Sequence, residues 1–327
     1  MRRPPTAAAD HADHADHTGH DHIGHAGPGH GAHGGHGPGH GHGLDMADRH
    51  AHEAEVYDRK ADELLATATD ADLRVDAAVP PYPNREHVEI MDEAFRRLGP
   101  LPGRRILEVG SGSGALAVWL ALQGADVVAV DVSEGNVRVG RRKAEASGAS
   151  GNVTFLHTPV ETLDHPDGCY DAIIGNQVLH HFDLPVAMAN LARMLAPDGV
   201  AVFCEPVLFL PESIRALRYR PLVLRYFPSR VHTPDERAIN NATLDVISNA
   251  FEHSECLPFQ AACRLQNFVE LSDAWFARLQ RVDRFLLRRV PAARRLSRYA
   301  LIVLAHHAPP YYAPPVAVPE PDTRSTV

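Results

Sequence analysis

Glu108, Gly110, Gly112 and Gly114 alternate along Arg105-Ile-Leu-Glu-Val-Gly-Ser-Gly-Ser-Gly114, with Ser111 between the first two glycines. Glycines let a backbone turn tightly and let a ligand lie against it without a Cβ in the way. An apolar stretch, Ala115 to Leu122, follows. A helix starting there would aim unpaired N–H groups at whatever the turn holds. Asp131 ends the next apolar run, Asp126-Val-Val-Ala-Val-Asp131, where a carboxylate can accept from ribose hydroxyls. Further on, His180 and His181 occur in Gln177-Val-Leu-His-His-Phe-Asp183, and Glu205 follows the run Val200–Cys204. Histidine titrates near neutrality and is the natural general base there, with Glu205 a third candidate.

Two cofactor classes use such a turn. A dinucleotide needs G-x-G-x-x-G/A, which Gly110, Gly112 and Ala115 satisfy. Glu108 points the other way, because a carboxylate there suits a cationic amine better than a pyrophosphate. S-adenosylmethionine carries an amine, a sulfonium and a ribose. Asp131 serves either ligand, so these residues alone leave both readings open.

The elements that must hold these groups follow from periodicity. Ile106–Val109 reads as a buried strand and Ala115–Leu122 as a helix. Ser133 can cap a helix running to about Ser147. Val153–His157, Asp171–Asn176 and Val200–Cys204 read as further strands, with a helix through Leu184–Leu195 and a turn at Ala196-Pro-Asp-Gly199. Strands and helices alternate for about 100 residues, the pattern of a parallel, doubly wound sheet. Upstream, His52, Val56, Leu64 and Leu65 predict an amphipathic helix over Glu53–Ala66. Asn84 can cap a helix over Arg85–Leu98, with Val88, Met91, Ala94, Phe95 and Leu98 inward.

Together, Ile106–Gly114, Val127–Asp131, the stretch around Val-Leu-His-His and Leu195-Ala-Pro-Asp-Gly199 resemble a class I S-adenosylmethionine-dependent methyltransferase over roughly residues 85–206. The resemblance implies a seven-stranded, mostly parallel Rossmann-like α/β sheet. Its antiparallel seventh strand would be Tyr299–Ala305. It implies S-adenosyl-L-methionine held by Glu108, Gly110, Ser111, Gly112, Gly114, Asp131, Val132, Val160 and Asn176. The acidic residue that many relatives place against adenine is missing, since Pro159 and Val160 stand there, and Glu161 is the polar substitute. Tyr57 and Tyr82 fall in segments that often cover the cofactor in this family. The implied activity is methyl transfer to a small or lipid-like acceptor, with His180, His181 and Glu205 as catalytic candidates. The alternatives are a non-catalytic binding or scaffold module and an NAD(P)-dependent oxidoreductase.

The chain divides by composition. Residues 1–44 form a His/Gly-rich tail that cannot build a core, reads as disordered and should bind divalent metal weakly, with no catalytic metal expected. Residues 45–100 read as cap helices, 101–206 as the cofactor-binding core, 207–307 as the acceptor and lid region with the last strands, and 308–327 as a disordered Pro-rich tail. Lid helices are expected over Leu210–Pro228, a helix from Pro234 and another over Ala242–Phe251, and the sixth strand near Pro258–Leu265. In the segment near Leu271–Val290, Trp275, Leu279, Val282 and Leu286 read as an inward stripe. From Ala274 to Arg298 there are eight arginines against the single acid Asp283. That is a solvated basic face, or a surface for an anionic membrane or acidic carrier.

Bulk properties narrow the classes. The 327 residues are 44% hydrophobic, enough for one large α/β domain with additions. A net charge of −9 gives no overall nucleic-acid footprint. Four scattered cysteines without C-x-x-C spacing argue against a disulfide framework and fit a reducing cytoplasm. No signal peptide and no run of roughly 18 apolar residues is visible, which places the expected location in the cytoplasm.

Overall fold

Seven apolar runs become strands: β1 (Arg105–Val109), β2 (Asp126–Asp131), β3 (Val153–His157), β4 (Tyr170–Asn176), β5 (Leu195–Pro206), β6 (His253–Phe259) and β7 (Tyr299–Ala305). The computed structural model describes residues 46–209, 239–267, 269 and 271–308. The strands join one sheet in the order β3-β2-β1-β4-β5-β7-β6. β1 to β5 are parallel, while β7 runs antiparallel between β5 and β6. This is the doubly wound α/β architecture that the alternating pattern predicts.

The strands are apolar on successive residues because both faces of the sheet are covered. Ile106 faces one core, shared with α3 (Val88–Leu98), α4 (Ala115–Leu122) and α5 (Glu134–Ser147). Its neighbour Leu107 faces the other, shared with α6 (Leu184–Met194) and α7 (Asn241–Ser248). α1 (Met46–Thr67) and α2 (Asp70–Leu73) precede this frame, and α8 (Asp273–Arg289) packs late in the chain. The strand order reverses between β1 and β4, so their carboxyl ends open a crevice there, the place where such sheets bind ligands.

Local chemistry sets the boundaries. Ser133 accepts from Asn136 N at 2.9 Å and starts α5, as its hydroxyl predicts. Gly114 starts α4 in the left-handed region at φ 76°. Several expectations shift. α1 begins seven residues before Glu53, and His52 and Leu64 are exposed. Asn84 caps no helix: its Oδ1 takes Glu86 N–H and bonds His87, and α3 starts only at Val88. Ala196–Gly199 lies within β5 as an irregularity, since the register passes from Tyr170↔Leu195 to Ala172↔Val200. β6 starts five residues before Pro258.

The stripe expected on the late helix is displaced by one residue. Phe276, Asp283 and Leu287 point inward, Leu279 and Leu286 of the expected stripe are half-buried, and Trp275 and Val282 are exposed. Asp283 is turned in because its carboxylate takes Ala262 N at 2.5 Å and Cys263 N at 3.0 Å. Both tails, the expected lid helices at 210–228 and the helix from Pro234 lie outside the described residues.

Candidate active site

The crevice at the carboxyl ends of β1, β2 and β4 is a cleft of about 330 Å³. Among the expected site residues, Gly110, Gly112, Asp131, Val132, Val160, Asn176, His180 and His181 line it. Glu108, Ser111, Gly114 and Glu205 do not. α1 closes one side with His50, Glu53 and Tyr57.

The glycine turn is shaped for a ligand. Gly112 has φ 51°, and a Cβ there would meet nothing within 4 Å, so the open space beside it belongs to the cleft. Gly114 serves packing instead, because a Cβ would lie 2.7 Å from the Gly140 Cα and 2.6 Å from the Phe155 ring. Asp131 Oδ2 accepts from Gly112 N at 2.7 Å; Oδ1 accepts from Ser133 N at 2.9 Å and Asn136 Nδ2 at 3.2 Å. Those bonds fix the carboxylate and leave about one of its roughly four acceptor sites for a ligand hydroxyl. Burial pushes its pKa up, against the pull of these donors. Asn176 lines the cleft, and its Oδ1 is buried with no protein partner. A buried unpartnered acceptor beside a cleft fits a ligand donor such as an amine.

Glu108 is buried behind the turn. One carboxyl oxygen has no partner, and Ala117 N–H of α4 contacts the group. Burial, and then the nearby Asp131 charge, hold its pKa well above the usual carboxylate range. Its position is under the turn and the first residues of α4 rather than against the cleft.

The histidines are held by two carboxylates. Glu205 is fully buried; Oε1 accepts from Val178 N at 2.7 Å and Leu179 N at 2.9 Å, while Oε2 lies 3.0 Å from His180 Nδ1. A carboxylate partner puts the ring proton on Nδ1 and makes Nε2 the basic atom. The His181 ring packs tilted against His180, centroids 4.1 Å apart, and its Nδ1 lies 3.3 Å from Glu53 Oε2 of α1. Burial, then the positive potential of His180, Arg49 and His50, pushes His181 down to about 3, so it stays neutral.

α1 is seated by its own polar groups. Asp58 Oδ1 takes Ser133 Oγ–H at 2.6 Å and Gly135 N–H at 2.7 Å at the start of α5. His50 Nε2 lies 3.9 Å from Glu161 Oε1, which also accepts from Asp183 N at 3.0 Å; Glu161 Oε2 is buried without a partner. Tyr57 therefore reaches the cleft, whereas Tyr82 bonds Asp92 elsewhere. His50 and Glu53 were missed in the sequence; their spacing with Tyr57 on one helix face was the available signal.

Gln177 was missed too. It lines the cleft at φ 54°, a rare conformation for a side chain with a Cβ. Its Nε2 lies 3.0 Å from His87 Nε2, and His87 Nδ1 lies 2.8 Å from Asn84 Oδ1. His87 is pushed down to about 4 by burial first and the Arg298 charge second. The unfolded chain binds this proton near pH 6.5 and the folded chain only near pH 4. Stability therefore falls as pH drops through that window, by on the order of 3 kcal/mol from His87. Urea melts from pH 7 to 4.5 should show the loss. His87→Phe should flatten the slope, and an unchanged slope would assign it to other groups.

Residues 107–203 match the protein-family model of a methyltransferase domain. A ubiquinone biosynthesis O-methyltransferase of Ruegeria sp. (strain TM1040) is 30% identical over 152 residues, 44% of this chain and 61% of that protein. One from Dinoroseobacter shibae is 33% identical over 144 residues, 42% and 57% respectively. The segment 107–203 is similar to a methyltransferase domain. The chain spans about 60% of the length of the curated relatives it matches. A solved geranyl diphosphate C-methyltransferase of Streptomyces coelicolor A3(2) aligns with TM-score 0.49 at 14% identity, covering 79% of this chain and 98% of that one. The matched segment holds the glycine turn, Asp131, Asn176 and both histidines. The chain adds α1 from outside that segment as a wall of the same cleft.

Proposed function

We propose that this chain transfers the methyl group of S-adenosyl-L-methionine to a small acceptor with substantial apolar surface, through an oxygen, nitrogen or carbon nucleophile. The observation that carries the reading is one cleft joining an open glycine turn, a fixed Asp131, an unpartnered Asn176 Oδ1 and a carboxylate-oriented His180. When bound, the cofactor supplies a methyl carbon already activated by its sulfonium. The chain's task is to align and to exclude water. Gly112 admits the ligand backbone-close, Gly110 lines the cleft while making room for Val178 behind it, and Asp131 accepts a ribose hydroxyl. Asn176 accepts from the amine, and Val132 and Val160 flank the adenine with Thr158 and Pro159. Glu108 and Gly114 act one layer back by holding the turn, and Ser111 sits within it. His180 Nε2 takes the proton of a hydroxyl or similar acceptor. His181, kept neutral, packs beside it and ties α1 down through Glu53. Glu205 holds the loop and His180.

The aliphatic and aromatic residues in the sequence of 210–238 suit an acceptor with apolar surface better than a sugar. The reading extends to weak divalent-metal binding by the histidine-rich segment of residues 1–44. It also gives the arginine-rich helix α8 an anionic membrane or an acidic carrier as partner, and a cytoplasmic location.

Calorimetry with S-adenosylmethionine and S-adenosylhomocysteine tests the reading. Micromolar binding is expected, together with no response to NADH. A folded sample that binds neither at millimolar concentration overturns it. Asp131→Ala removes the ribose acceptor and frees Gly112 N–H, so affinity should fall by about 1–3 kcal/mol. Unchanged affinity would put the ribose elsewhere.

A further inference from the structure

The outward face of α8 joins exposed aromatic rings to unpaired cations. Phe276, Asp283 and Leu287 mark its buried side. At 100° per residue, Phe285 stands opposite them, with Arg278 and Arg281 to either side and Val282 and Trp275 along one margin. Phe285 is 64% exposed, Trp275 57% and Val282 45%. Arg278 lies over the Trp275 ring, 5.0 Å from its centroid. Among the described residues, no carboxylate pairs with Arg278, Arg281, Arg288 or Arg289. Arg284, on the flank, pairs with Glu89.

We propose that this face docks α8 flat on an anionic lipid surface. The chain as a whole carries a net charge of −9, so the cationic face is a local feature set against the overall field. Of the two acids of α8, Asp273 pairs with Arg85, and Asp283 is buried by its two backbone donors and subtracts nothing from the outward face. Rings at headgroup depth, ringed by arginines whose alkyl stems lie along the interface, are the chemistry of an interfacial helix. Seventeen residues give a helix about 25 Å long, enough for several headgroup contacts. A second copy would bring the same cations against these and be repelled. An acidic protein would satisfy the arginines and leave the exposed rings unexplained.

The proposal does not rest on the methyl-transfer reading. Its test is sedimentation of the full chain with phosphatidylcholine vesicles, and with vesicles a quarter phosphatidylglycerol, at about pH 8, where the tail imidazoles are neutral. Binding to the anionic vesicles should exceed binding to the neutral ones at least tenfold. It should fall at least tenfold in Arg281→Glu/Arg288→Glu and also in Trp275→Ser/Phe285→Ser, whose charge is unchanged. Trp275 emission should shift to the blue on binding in the parent and in Phe285→Ala, a milder change that guards against misfolding in the double variants. S-adenosylhomocysteine isotherms of the variants report folding and the cofactor site separately. The proposal is overturned if the parent ignores anionic vesicles. It is equally overturned if the serine variant binds them like the parent while polyglutamate competes, which would assign the face to an acidic protein.

Discussion

Glu205→Gln should leave cofactor binding nearly intact while removing most of the methyl transfer. The glutamine oxygen can still take the Val178 and Leu179 N–H groups that Glu205 Oε1 takes now. Its amide nitrogen would then face His180 Nδ1, where Glu205 Oε2 stands at 3.0 Å. A donor there demands a lone pair on Nδ1, which moves the ring proton to Nε2 and leaves the cleft without its base. A mis-set tautomer of a general base costs on the order of 10²–10⁴ in turnover. S-adenosylhomocysteine release with a panel of phenolic and other hydroxyl acceptors measures the loss, and calorimetry checks that cofactor affinity stays within about threefold. Glu205→Leu is the contrasting change. It strands two buried N–H groups at a fully buried position and should lower stability by about 3 kcal/mol or more. Parent-like turnover in Glu205→Gln would reduce His180 to a wall residue and point to an acceptor that needs no base.

Gly110→Val should abolish cofactor binding and also weaken the fold. Gly110 has φ 63°, and a Cβ built there would lie 2.2 Å from Val178 Cγ2 and 3.0 Å from Val178 Cβ. Val178 is the residue whose N–H Glu205 holds, so the turn cannot push it aside without breaking the loop that carries His180. A β-branched residue in the left-handed region adds about 1–3 kcal/mol of strain, and the overlap costs about as much again. Gly112→Ala separates the two effects. Its Cβ meets nothing within 4 Å, so the fold should survive with a modest drop in melting temperature while affinity falls about tenfold or more. If Gly112→Ala binds S-adenosylhomocysteine like the parent, the open space beside the turn is not where the ligand lies.

Much of this molecule is written locally. The apolar run of Ile106, Leu107 and Val109, like its counterparts in β2, β4 and β5, is a buried-strand pattern whatever its neighbours do, and Ser133 starts α5 through a hydroxyl three residues from its donor. Gly110, Gly112 and Asp131 fall at the cleft because strand–turn–helix geometry fixes where a parallel strand ends. Short-range periodicity and turn chemistry thus pointed to the parallel part of the sheet and to the residues that line the cleft, whereas the antiparallel seventh strand followed only from the resemblance to methyltransferases.

The rest depended on contacts between residues far apart in the chain. Nothing near Glu205 says that it is spent on Val178, Leu179 and His180, which lie 25 to 27 residues away. His50 and Glu53 reach the cleft only because Asp58, on the same helix, is bound to the start of α5, 75 and 77 residues further on. Glu108 has the residue type for a ligand contact, and only the fold showed that its carboxyl lies buried behind the turn, outside the cleft lining. α8 shows the same limit most sharply. Its hydrophobic positions admit two stripes one residue apart, and the choice fell to Asp283, whose carboxylate satisfies two backbone N–H groups about twenty residues earlier. Turning that acid inward turned Trp275, Val282 and Phe285 out. Periodicity ranks faces by apolar content, but a buried hydrogen-bond demand can outweigh a ring's burial, and only the folded chain brings that demand to the helix.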